Sequence, residues 1–183
     1  MLEYRPQHKA MAVDAKAMTV KFEVHDDVKA DVLNVLPPMR AGALAVQAGL
    51  ATVNSRWCPV DFLSYESKAQ AGIHVLGDSI MLAPLMPKSG HMANQHAKVA
   101  AAAIIQLLKG EAVNATPVVM NTCYSFVTGR DVIHVASVHQ YNAEQKTFLP
   151  VQGAGGVSAA ANQVEGRYAL SWADNIWADA LGA

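Results

Sequence analysis

The chain has 183 residues, 52% of them hydrophobic and 16% charged, with 14 basic against 15 acidic side chains and a formal charge of -1. This is the composition of an ordinary globular protein, and its scattered Lys and Arg give no basic field for a phosphate backbone, so nucleic-acid binding is not expected. The longest helical apolar stretch, Val99 to Ile105, is far short of the ~20 residues that cross a bilayer, and Met1 to Pro6, with Glu3 and Arg5, carries no secretory pattern. Cys58 and Cys123 stand 65 positions apart and form no CxxC pair, while His91 and His96 are five apart and would face different sides of a helix, so no metal site is expected.

In chain order, residues 18–24 alternate apolar and polar side chains and are followed by His25-Asp26-Asp27 before Val28, which predicts a hairpin. Residues 31–36 form a nearly continuous apolar run closed by Pro37-Pro38, as expected of a strand buried on both faces. Arg40 to Ala48 reads as a short helix stopped by Gly49, and a loop with Trp57-Cys58-Pro59 follows. Ile73 to Leu76 reads as a strand ending at Gly77-Asp78, and a Pro-rich loop leads to a helix from about Ser89 to Lys109 with Met92, His96, Val99, Ala103 and Leu107 on one stripe. Beyond Pro117, residues 118–127, 132–141 and 145–151 read as strands and Gly153 to Gly156 as a flexible loop. A final helix, from Ser158 or later to Leu181, spaces Val164, Tyr168, Trp172, Ile176 and Ala180 four apart on its buried stripe. The fold class expected is α/β, turning α+β in the tail.

The chemistry concentrates at three places. Gly77 lets backbone approach a ligand closely, and the strand-end carboxylate of Asp78 can accept hydrogen bonds from ligand hydroxyls, as of a ribityl or ribose chain. Lys88, Ser89 and Gly90 open a long helix whose free N–H groups and partial positive charge, with the lysine's full charge, suit an electron-rich carbonyl or other anion. Cys58 is a loop cysteine that is either a reactive thiol or a small buried side chain, whereas Cys123, inside an apolar strand, reads as structural. No Gly-x-Gly-x-x-Gly is present, and Gly153-Ala-Gly-Gly156 has the wrong spacing for a dinucleotide cradle.

Trp57-Cys58-Pro59-Val60-Asp61, Glu66-Ser67-Lys68, Gly72 to Asp78, Met86 to Gly90, the upstream run Ala30 to Gly42, and Asn121-Thr-Cys-Tyr-Ser125 with Ser171-Trp172 together resemble the flavoprotein subunit of flavocytochrome c sulfide dehydrogenase, a relative of the sulfide:quinone oxidoreductases. The resemblance implies the carboxy-terminal part of a two-dinucleotide-domain, disulfide-reductase-like FAD flavoprotein. Residues 1–50 would finish the second nucleotide-binding-like domain, 51–110 the FAD domain, and 111–183 a terminal flavin-binding and interface domain. By the same resemblance Cys58 is the second cysteine of a redox disulfide where sulfide is oxidised to zero-valent sulfur. Gly77 and Asp78 hold FAD, Lys88, Ser89 and Gly90 stabilise charge on its reduced ring, and Trp172 packs near the ring. Electrons would leave to a separate c-type cytochrome subunit in the periplasm. The amino-terminal half with the first redox cysteine is expected elsewhere, and the chain without it is expected to be inactive. The rival readings are a quinone-reducing relative, disfavoured by Asp174 and Asp179 on the last helix, and a non-catalytic binding or assembly module.

Overall fold

The computed structural model describes residues 3–182, and the chain divides into two compact units, Met1–Pro38 and Met39–Ala183. The first unit is an antiparallel sheet of β1 (Ala10–Asp14), β2 (Thr19–Phe22) and β3 (Val28–Lys29) in that order. The expected hairpin forms, with Thr19 opposite Lys29 and Val20 opposite Val28. Asp14 closes the β1–β2 turn because its carboxylate accepts the N–H groups of Lys16 and Ala17, both at 2.9 Å.

Residues 31–36 are not a strand. Two prolines follow, which remove ladder donors, and no neighbouring strand takes up the run, so Val32 and Leu36 stand 83% and 90% exposed.

The second unit begins with α1 (Ala43–Gln47) and then runs through irregular chain pinned by single bridges, including Val60 with Ser67 and Glu66 with His74. The strand expected over Ile73 to Leu76 is only one of these bridges, because a lone four-residue run finds no ladder on either side. Gly77–Ser79 is a 3-10 turn, and Ile80 pairs in parallel with Cys58. The order then continues α2 (Gly90–Leu108), β4 (Val118–Phe126), β5 (Val132–Asn142), β6 (Thr147–Val157) and α3 (Gln163–Leu181). Strands β4, β5 and β6 form an antiparallel sheet in sequence order.

Both described sheets are antiparallel, so the fold is mixed α+β rather than the α/β arrangement expected for the first part of the chain. No helix of the described residues is long and apolar enough to cross a membrane.

The expected flexible loop at Gly153 to Gly156 lies inside β6. Its glycines serve a bulge: the register shifts between Ser137 and His139, Gly155 sits at φ +146°, and a Cβ there would come within 2.4 Å of the Ala136 carbonyl oxygen. Gly155 marks a close approach of paired strands. Pro150 is tolerated because β6 is the sheet edge.

Helix α2 places Met92, His96, Ala100 and Ala103 in the core, and the expected stripe fails only at Leu107, which is 48% exposed. Met92 joins Val119 and Phe148 in one apolar cluster, and Ala100 joins Val60, Tyr65 and Ile80 in another, so the helix stands between the sheet and the irregular segment. Phe62 and Val99 pack on both clusters.

Helix α3 buries Gly166 and Ala169, with Trp172, Ala173 and Ile176 half-buried. Val164, Tyr168 and Ala180 are exposed, so the contact stripe is displaced from the one read by hydrophobicity. The small residues win the contact because the chain approaches too closely for anything larger: a Cβ on Gly166 would lie 2.3 Å from the Arg130 carbonyl oxygen. Asn162 caps the helix by accepting the Glu165 N–H at 2.9 Å. Glu165 in turn binds the Ser158 hydroxyl and His134 Nδ1, at 2.5 and 2.9 Å, and these bonds draw its pKa down to about 2. At the other end of α3, an exposed Lys98–Asp179 ion pair of 2.5 Å joins it to α2.

Candidate functional site

The residues singled out from the sequence fall into two neighbouring groups. Cys58, Gly77, Asp78 and Lys88 form the first. Cys58 is fully buried against Ala41 and Leu50, its N–H donates to the Ser79 carbonyl at 3.0 Å, and its carbonyl accepts the Met81 N–H at 2.8 Å. The loop cysteine is thereby fixed against the Gly77–Ser79 turn. Its thiol is free, and burial pushes its pKa up, so these surroundings alone favour the protonated form.

Gly77 is buried at φ +66° and packs on α2, where an added Cβ would stand 3.1 Å from that of Ala93. Its N–H donates to Nδ1 of His96 at 3.2 Å. Asp78 is exposed, and its carboxylate makes no hydrogen bond among the described residues, which leaves both oxygens open to ligand hydroxyls. Lys88 spans this group: its ammonium donates to the carbonyls of Asp78 (2.6 Å) and Ile80 (3.1 Å) and lies 3.9 Å from the centroid of the Trp57 ring. Burial lowers its pKa, and the charge of Asp78 opposes that shift.

His96 decides how this group responds to acid. It is 1% exposed, and burial, helped by the charge of Lys88, lowers its pKa from 6.5 to about 4. The folded chain therefore holds the ring neutral while the unfolded chain protonates it first. Stability falls as the pH drops from about 6.5 to about 4 and is then flat for this group. The variant His96→Gln should flatten that limb of a urea-denaturation pH series, while an unchanged slope would assign the acid sensitivity elsewhere.

Ser89, Gly90 and Trp172 belong to the second group. They line an apolar cleft of about 330 Å³ between the start of α2, β4 and α3, with His91, Thr122, Cys123, Tyr124 and Leu170 among the other walls. Ser89 is the N-cap: its hydroxyl accepts the Met92 N–H at 3.0 Å and donates to Oδ1 of buried Asn121 at 2.5 Å. That bond fixes β4 to the helix start. His91 Nδ1 accepts the Thr122 N–H at 2.9 Å, and its pKa is lowered by burial and by the Lys98 charge. Trp172 meets the rings of His91 and Tyr124 edge-on, at 5.5 and 6.0 Å between centroids.

Cys123, read from the sequence as a strand residue of structural use only, lines this cleft. Thr122 and Tyr124 enter the sequence reading only through the Asn121–Ser125 motif, and His91 only as a metal ligand that is not expected. Asn121 to Ser125 carried the resemblance, but an apolar strand pattern gives no sign of which side chains face a cleft.

The cleft suits a planar aromatic ligand rich in acceptors. Its lining is mostly apolar, the first N–H groups of α2 have no carbonyl within the helix, and Trp172 Nε1 is enclosed yet has no partner among the described residues. A Cβ on Gly90 would meet nothing within 4 Å, so the helix start opens onto free space. Isoalloxazine, with carbonyls and ring nitrogens along one edge, has that character. Among the described residues no group of three or more His, Cys, Asp or Glu could hold a metal ion.

The cleft walls from β4 and α3 lie within a segment of the chain that matches a known family. Residues 115–181 match the family described as "Flavocytochrome c sulphide dehydrogenase, flavin-binding", and this segment is the flavin-binding domain of that family.

Proposed function

We propose that this chain is the flavin-side portion of an FAD-dependent sulfide dehydrogenase, which oxidises sulfide to zero-valent sulfur and passes the electrons to a c-type cytochrome. The observation that supports it best is the coincidence of the apolar cleft with the family segment: Thr122, Cys123, Tyr124, Leu170 and Trp172 all lie within residues 115–181. When bound, FAD would supply a two-electron acceptor that can return electrons singly.

The chain's own groups have separate tasks in this reading. Trp172 Nε1 and the first N–H groups of α2 donate to acceptors of the ring edge, Asp78 accepts from hydroxyls of the cofactor's chain, and the apolar walls exclude water. Lys88, already held by two carbonyls, contributes field rather than a direct contact. Cys58 would form a disulfide with a cysteine outside residues 1–183. Attack by hydrosulfide on that disulfide would make one S–S bond and break another, leaving a persulfide on one cysteine and a thiolate on the other. Re-forming the disulfide, with loss of a proton and of sulfur at the zero-valent level, would release the two electrons for which FAD is the acceptor. The periplasm, where c-type cytochromes operate, is the compartment proposed. The wider architecture proposed is the disulfide-reductase-like one with two dinucleotide domains.

The test is the visible absorption of the purified chain after incubation with FAD and desalting. A flavin band is expected to remain, and Trp172→Ala should weaken retention about tenfold, the effect of losing one hydrogen bond and one aromatic contact in an enclosed site. A colourless wild-type protein would refute flavin binding by this chain.

A further inference from the structure

We propose that a second groove, next to the flavin cleft, binds the sulfur-chain anion formed when zero-valent sulfur adds to hydrosulfide; the proposal rests on the sulfide-oxidising reading above. The groove, of about 210 Å³, lies between the β4–β5 turn and the start of α3 and is lined by Arg130 and Arg167, with Phe126 and Leu170 as apolar walls. Phe126 and Leu170 also line the flavin cleft, so the two spaces adjoin.

Both guanidiniums are available. Among the described residues no carboxylate lies within 4.0 Å of either. The nearby acids are engaged elsewhere: Asp131 accepts the Thr128 hydroxyl at 2.7 Å, and Glu165 is taken up by Ser158, His134 and Asn162. Two arginines without a carboxylate partner among the described residues, both lining one concavity in a chain of net charge -1, are a local concentration of positive charge. Gly129 and Gly166 complete the lining of that concavity.

The ligand chemistry follows from the lining. A sulfur chain carries negative charge at its ends and neutral, polarisable sulfur atoms between them. Two charged forks lining the same groove as a phenyl ring and a leucine match that distribution, whereas phosphate or sulfate, hydrated on every side, gains nothing from the apolar walls. Sulfide oxidation produces zero-valent sulfur, and its addition to HS⁻ gives HSₙ⁻ with no further oxidant.

The experiment is an anaerobic NMR titration of the 183-residue chain with sodium tetrasulfide, following the Arg Nε–H signals. We expect saturable shifts at Arg130 and Arg167 that reverse on desalting, binding at least about tenfold tighter than for phosphate, and at least about tenfold weaker binding in R130Q/R167Q. Added salt should weaken binding because both arginines are exposed. No saturable shift, equal affinity for phosphate, or unchanged affinity in the double variant would each overturn the proposal. FAD retention by the wild-type chain, measured in parallel, reads the flavin assignment by itself, so the two failures are distinct.

Discussion

On the mechanism proposed above, replacing Cys58 with alanine in the enzyme with all its domains is expected to reduce sulfide turnover by at least ~1,000-fold while leaving flavin bound, since a group that forms and breaks the reacting bonds would have no substitute. The substitution suits the site: Cys58 lies in an apolar cluster with Ala41 and Leu50, and its backbone N–H and C=O hold the Gly77–Ser79 turn whatever the side chain. The cost to folding should stay near ~1 kcal/mol, the loss of one buried small group. Stopped-flow bleaching of the flavin by sulfide, beside the flavin content of the same sample, separates the outcomes. Bleaching at the wild-type rate would remove Cys58 from the reaction, and loss of both bleaching and flavin would make its role that of a packing residue.

The variant Gly166→Val should be the most damaging substitution on α3. The added Cβ would fall 2.3 Å from the Arg130 carbonyl oxygen, which is backbone within a turn and cannot swing away as a flexible side chain could. Overpacking of this kind costs ~1–3 kcal/mol or displaces the helix. Valine's poor helix propensity is no rescue, and Gly166→Ala, which gains up to ~1 kcal/mol in propensity, should still lower the melting temperature. Displacement would also move Ala169 and Trp172, so FAD retention should fall together with the melting temperature. A Gly166→Val protein with wild-type melting and flavin retention would show that α3 docks differently.

The parts of this fold that follow from local chemistry are legible in the sequence. The Ser89 cap and the long periodic stretch after it yield α2 within a residue of its observed ends, and the strands over 118–126 and 132–142 follow from their apolar content. What misleads is whatever depends on a neighbour. Residues 31–36 and 73–76 have strand-like composition, but a strand exists only beside another, and composition does not report the partner. The glycines at 153–156 look like a loop because the close pairing that requires Gly155, against Ala136 and Ser137, is distant in sequence. On α3 the buried line runs through Gly166 and Ala169 because close approach favours the absence of a side chain, which a hydrophobicity stripe scores as nothing.

The candidate site shows the same division. Gly77-Asp78 and Lys88 to Gly90 are visible as motifs of turn and helix-start chemistry, while the cleft they adjoin is completed by His91, Thr122, Cys123 and Tyr124. Those residues come together only once β4 is laid along the start of α2 by the Ser89–Asn121 bond.

The two ends of α3 are held very differently. Its first turns are bonded to β5 through Asn162, Glu165 and Ser158 and pressed against the chain at Arg130, whereas its far end meets α2 through an ion pair in open water, a contact of small energy that salt screens. A rod clamped at one end and resting at the other is a cantilever. Its deflection is smallest beside Gly166, is braced at Trp172 by the rings of His91 and Tyr124, and is greatest toward Leu181, where ionic strength sets how stiffly the end resists.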